Sequence, residues 1–165
     1  MKVLELHCDY ASYTPKEKAL KAGYDEVPSE EVGGEKRFEE VLVVLTCIEE
    51  GDNEEIARKA IEETKASLDK LKVNKILIYP YAHLSNTLAK PADALKTIKA
   101  MEKKAKEMGI ETYRTPFGWN KQFAISIKGH PLAEQFRVVS SGEVKEEEIV
   151  PEALRAEEKL KSTWF

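Results

Sequence analysis

The chain has 165 residues, 42% of them hydrophobic and 34% charged, with a formal net charge of −4. That length suits one compact domain and leaves little room for two independent cores. The acidic balance argues against a protein that grips nucleic acid by bulk charge, and no apolar run approaches the ~18 residues that span a bilayer.

Val3-Leu4-Glu5-Leu6-His7-Cys8 reads as a buried first strand ending at Asp9-Tyr10. The stretch from there through Gly33-Gly34 mixes Pro15, Gly23, Pro28 and many charges without a firm period, so an irregular excursion is expected. Phe38 to Ile48 is too apolar for an exposed strand and predicts one covered on both faces. Gly51-Asp52-Asn53-Glu54-Glu55 opens a helix, with Asp52 as the expected cap and Glu55 reaching back. Its apolar stripe is Ile56, Ala60, Ile61, Thr64, Leu68 and Leu71. Val73 to Tyr79 is a third strand. Pro91 starts a second helix with the stripe Leu95, Ile98, Met101, Ala105 and Met108, stopped by Gly109. Ile110 to Thr115 and Gln122 to Lys128 are further strands, and Arg137-Val138-Val139 is another candidate. The order implies an α/β domain with a mixed β-sheet and two long helices packed on one face.

The lysines of Lys90 to Lys106 read first as a solvated helix face, against the acidic Glu143 to Glu158. Cys8 and Cys47 sit in apolar runs and are expected as free, buried thiols; without a secretory signal the cytoplasm is the expected compartment. From Gly142 the character changes to a charged helical pattern, and the chain stops on Thr163-Trp164-Phe165. The expectation is a domain over 1–141 followed by a linker, 142–165, cut as a further domain begins.

Three polar strings follow strand ends, where a rigid sheet can hold reactive side chains. They are Tyr79-Pro80-Tyr81-Ala82-His83-Leu84-Ser85, Pro116-Phe117-Gly118-Trp119-Asn120-Lys121 and Lys128-Gly129-His130-Pro131-Leu132-Ala133-Glu134. Each candidate has a plainer reading beside the functional one. His83 is a proton relay or substrate-orienting group, or a histidine satisfied at a helix entry. Lys121 is a cation for an oxyanion or phosphate, or a solvated edge guard. Glu134 is a partner for water or substrate, or a residue favoured at a helix start. His130 reads as shaping its turn. No Cys-x-x-Cys, His-x-x-x-His or His-x-His spacing accompanies His7, Cys8, Asp9, Cys47, His83 and His130, so neither a metal nor another cofactor is expected.

Together with Met1-Lys2-Val3-Leu4, His7-Cys8-Asp9-Tyr10 and Leu88-Ala89-Lys90-Pro91, these strings resemble the N-terminal editing domain of archaeal threonyl-tRNA synthetases over about residues 1–141. The resemblance implies a D-aminoacyl-tRNA deacylase-like fold, a homodimer, and hydrolysis of mischarged L-seryl-tRNA(Thr) for a synthetase body in cis or in trans. It implies no metal, help from the substrate's ribose 2′-hydroxyl, and functional positions at His83, Lys121 and Glu134. The backbone at Leu45, Ala82 and Phe117, with Pro80, Tyr81 and Pro116, is implied as the amino-acid pocket. Members of that family carry a tyrosine just before the lysine, where this chain has Asn120, a shorter side chain that still hydrogen-bonds water. Two other functions stand beside it: a free-standing D-aminoacyl-tRNA deacylase, and a tRNA-binding or dimerisation module without chemistry.

Overall fold

The computed structural model describes residues 1–141. A six-stranded mixed sheet carries two helices. The strands are β1 (Lys2–Lys18), β2 (Lys36–Cys47), β3 (Lys75–Pro80), β4 (Glu111–Arg114), β5 (Trp119–Ile127) and β6 (Glu134–Val138). The helices are α1 (Glu54–Leu71), between β2 and β3, and α2 (Pro91–Glu107), between β3 and β4. Strand order is β4-β3-β2-β1-β5, with β6 also paired to β1. The β2–β3 and β3–β4 pairs are parallel, whereas β1 runs antiparallel to β2, β5 and β6.

Both helices bury their predicted stripes on one face of the sheet. Ile56, Ala60, Ile61 and Leu68 of α1 and Ala94, Ile98, Met101 and Ala105 of α2 meet Val3, Leu42, Val44, Ile76 and Ile78. The alternate strand positions Leu6, Val41, Val43, Leu45, Leu77 and Tyr79 face the other way and form a second core with Phe123 and Ile125 of β5. Residues 41–48 are all buried because both sheet faces are covered there, as their unbroken apolar run requires. Among the described residues no helix is long and apolar enough to cross a membrane.

Four expectations are corrected. The first strand does not end at Tyr10 but runs on to Lys18. Register shifts at Cys8/Tyr10 and Pro15/Glu17 against β5 curl it, and a bulge tolerates the proline that the excursion reading took as a breaker. The N-cap of α1 is Asn53, whose side chain accepts from the Ile56 N–H at 3.1 Å. Asp52 is taken up instead by the Glu49 N–H (2.7 Å) and the Met1 nitrogen (3.1 Å). Lys121 does not precede its strand: β5 begins at Trp119, and β6 begins at Glu134 rather than Arg137. The expected linker helix and aromatic end, 142–165, lie outside the described residues.

Candidate active site

The curl of β1 folds β5 over the sheet face opposite the helices. Trp119, Lys121, Phe123 and Ile125 alternate inward, so the Phe123 ring lies 4.3 Å from that of Tyr79. Lys121 stands beside it, its ammonium 4.8 Å above the Tyr79 ring. Two ammonium hydrogens are taken by backbone carbonyls, Pro116 at 2.8 Å and Trp119 at 3.1 Å. No carboxylate touches the ammonium among the described residues. Burial therefore outweighs the attraction of Asp25 and pulls Lys121 down to about 8.

This ammonium lines a hollow of about 240 Å³ with Pro80, Tyr81 and Ala82 on one side and Phe117 on the other. The remaining wall comes from the end of β2 (Thr46, Cys47, Ile48), from Ala19 and Leu20, and from Leu88, Ala89, Pro91 and Ala94. The segment after β3 is strapped to β2: the Tyr81 N–H donates to the Thr46 carbonyl (2.9 Å) and the Ala89 N–H to that of Ile48 (3.1 Å). Glu49 binds it further, accepting from Ser85 Oγ (2.5 Å) and Thr87 Oγ1 (3.1 Å). Cys47 and Cys8 are buried free thiols, both pushed up by burial, Cys8 to about 11, which leaves them as packing groups.

The loop opposite is built on Gly118. Its φ of +79° and its approach to Tyr24, where an added Cβ would lie 2.7 Å from the tyrosine Cβ, both demand glycine. Asp25 grips its flanks. The Asp25 N–H donates to the Phe117 carbonyl (2.9 Å), the Phe117 N–H to the Asp25 carboxylate (2.8 Å) and the Trp119 indole N–H to the Asp25 carbonyl (2.7 Å). Phe117 thus contributes its bulk to the hollow, while both its backbone polar groups are engaged behind it. Pro116 contributes the carbonyl that holds Lys121.

The remaining predicted residues fall elsewhere. His83 is exposed in a single 3-10 turn (Ala82–Leu84), its ring 5.1 Å from Tyr81, at the rim and not in the wall. Asn120 is exposed and points away from Lys121, because adjacent strand residues alternate. Leu45 lies in the second core, its strand paired on both sides. Glu134 is exposed opposite Leu6, in the row Glu134–Leu6–Val43–Leu77. It stands three strand spacings from Leu77, roughly 14 Å at ~4.8 Å each. Of His83, Lys121 and Glu134, Lys121 alone is among the described residues that line the hollow. His130 does shape its turn: the Leu132 N–H donates to His130 Nδ1 (3.1 Å), and His130 Nε2 lies 2.8 Å from Nδ1 of buried His7. Ala19, Leu20 and Thr46 carried no signal in the sequence, being ordinary residues brought in by the fold.

Residues 1–139 match the model of the archaea-specific editing domain of threonyl-tRNA synthetase. The chain belongs to that family. Similar relatives are the threonine–tRNA ligases of Thermococcus sibiricus, 44% identical over all of this chain, and of Nitrosopumilus maritimus, 39% identical over 99% of it. The chain spans 26% of the length of each of these curated relatives. The described fold is also similar to the solved structure of a c-Myc DNA unwinding element binding protein. The TM-score is 0.64 at 12% identity, covering 86% of this chain and all of the other, a likeness of fold alone. The editing domain thus has the α/β fold, a mixed sheet with two long helices on one face, that the order of its elements implied.

Proposed function

We propose that this editing domain hydrolyses the ester of L-seryl-tRNA(Thr), releasing serine and a free 3′ end. The observation that carries the reading is Lys121, a largely buried cation beside a small hollow, with two hydrogens held by carbonyls and the third available to a ligand. A volume of about 240 Å³ is below that of drug-sized pockets and suits an aminoacyl group. Water attacks the carbonyl carbon, the bond to the ribose oxygen breaks, and that oxygen takes the proton. The ammonium stabilises negative charge on the carbonyl oxygen, worth a few kcal/mol in a dry site. The ribose 2′-hydroxyl assists the water, and His83 at the rim orients water or the terminal adenosine.

Selectivity follows from the walls. Serine lacks one methyl of threonine, a difference that binding alone converts into only ~1–3 kcal/mol, so a second, smaller pocket is needed. Segments strapped by main-chain hydrogen bonds, as at Tyr81 and Ala89, resist the repacking that would admit threonine. A homodimer belongs to the proposal, because Glu134 stands outside the hollow of its own chain and needs a second subunit to bring it there. The tRNA lies along α2, where Lys90, Lys96, Lys99 and Lys103 are exposed and without a carboxylate partner among the described residues.

Single-turnover deacylation tests this. Lys121→Met is expected to slow hydrolysis of L-seryl-tRNA(Thr) at least 100-fold, with the circular dichroism of the fold unchanged. An unchanged rate removes Lys121 from the mechanism. Faster hydrolysis of D-aminoacyl-tRNA by the wild type would assign the stand-alone deacylase function instead, and tRNA binding with no acceleration at all would leave a binding module.

A further inference from the structure

We propose that Asp25 and Arg114 are positioning residues for Lys121, fixing the loop that holds its ammonium and setting the field in which it keeps its charge. The proposal rests on the reading of Lys121 as the cation of the site. Behind the Pro116–Trp119 loop the contacts form a chain that reaches α2. Glu102 of α2 accepts from Arg114 Nε at 3.0 Å. Arg114 forks onto Asp25, one guanidinium nitrogen on each carboxylate oxygen. Asp25 holds Phe117 by both backbone groups and Trp119 by its indole N–H. The carbonyls of Pro116 and Trp119, which bracket that grip, hold Lys121. Displacing Asp25 therefore displaces both oxygens on which the ammonium rests.

Charge runs along the same chain. Asp25 and Arg114 are each only 12% exposed, so their fields are weakly screened. Burial opposes ionisation of Asp25, but the Arg114 fork and the Phe117 N–H overcome it and keep it anionic. At Lys121, burial is the largest influence and disfavours the ammonium, Asp25 favours it and Arg114 disfavours it. Other groups facing Lys121 add no charge near neutral pH: Tyr79 beneath it is pushed by burial to about 12, and the Cys47 thiol is also pushed up by burial. Lys99 of α2 acts on Asp25, and Glu102 offsets Arg114 from outside. A merely structural pin would hold the loop whatever its charge. A device that sets the ammonium makes the titration of Lys121 depend on the sign removed.

The experiment follows Lys121 directly in the 165-residue chain with 13Cε-labelled lysine, its resonance assigned by its loss in Lys121→Met. Asp25→Asn keeps the shape and is expected to lower the titration midpoint by about one pH unit. Arg114→Gln is expected to raise it, and Arg114→Lys, which restores the charge, to return it towards the wild type. The alkaline limb of kcat/KM for L-seryl-tRNA(Thr) moves the same way in each variant. Midpoints equal to the wild type in Asp25→Asn and Arg114→Gln, with amide spectra showing an intact fold, overturn the inference. Should Asp25→Asn fail to fold, the two Arg114 variants decide alone. Wild-type deacylation by Lys121→Met overturns the functional reading instead, and with it any part for Asp25 in the reaction, so the two failures are told apart.

Discussion

Lys121 is a cation kept without a carboxylate partner among the described residues, which makes it sensitive to pH where ordinary lysines are not. With a folded-state value of about 8 against an ordinary 10.5, it sheds its proton as pH rises through 8. The unfolded chain then holds more protons, so stability rises between those values while the proposed reaction loses its cation. Gly118 sets a second constraint at the same place. Gly118→Ala puts a methyl against Tyr24 at a φ that alanine rarely adopts. A loss of ~1–3 kcal/mol is expected in urea unfolding, together with a raised KM as the Lys121 carbonyls shift. A stability equal to the wild type would show that the 19–25 segment yields readily.

Among the elements, the loop after β3 has the most to lose from one side chain. Burial opposes the Glu49 charge, but hydrogen bonds from Ser85 and others outweigh it and hold the carboxyl at about 2. A depressed carboxylate contributes stability in full above its ordinary value of 4.5 and loses it as pH falls towards 2. Glu49→Gln is expected to cost ~1–2 kcal/mol at neutral pH and to speed hydrogen exchange at the amides of residues 85–89, flattening their acid dependence; unchanged exchange would show that main-chain contacts suffice. At this scale the sequence was readable wherever one period ruled. The stripes of α1 and α2 and the all-apolar β2 were legible because each element buries a continuous face. The second half of β1 was not, since the pairing with β2 stops at Tyr13 and the strand runs on to Lys18 through β5 and the bulges that let it curl. Lys121, Tyr81 and Phe117 were legible as parts of strings at strand ends. Asp25 was not, because one acid in a charged, aperiodic stretch looks like any other until Arg114, 89 residues later, is folded against it.

For the whole molecule, the separation of Glu134 from the hollow makes assembly a question of chemistry. If two-fold pairing places Glu134 of a second subunit at each hollow, Lys121→Met and Glu134→Gln lie in different chains of one site. Mixing the two inactive proteins and allowing exchange should then restore about a quarter of wild-type deacylation, since half the dimers are mixed and each has one intact site. No recovery, with mixed dimers demonstrated by mass spectrometry, would place both residues in the same subunit, and full activity of Glu134→Gln alone would remove Glu134 from the reaction. The exposed lysines of α2 belong to this scale too, since the proposed tRNA contact gives a protein of net charge −4 a local track for phosphates, and replacing them is expected to weaken binding and its salt dependence.

Trp119 adds a practical property to the fold. Its indole sits in the wall of the hollow, nine-tenths covered, with its N–H tied to a main-chain oxygen next to an ionised carboxylate. An occupant that drives out water or shifts Asp25 alters the field across that ring, and so the colour and yield of its emission. Replacing Trp164 with phenylalanine leaves one tryptophan, and excitation at the red edge, where tyrosine does not absorb, then reports ligand entry without a label.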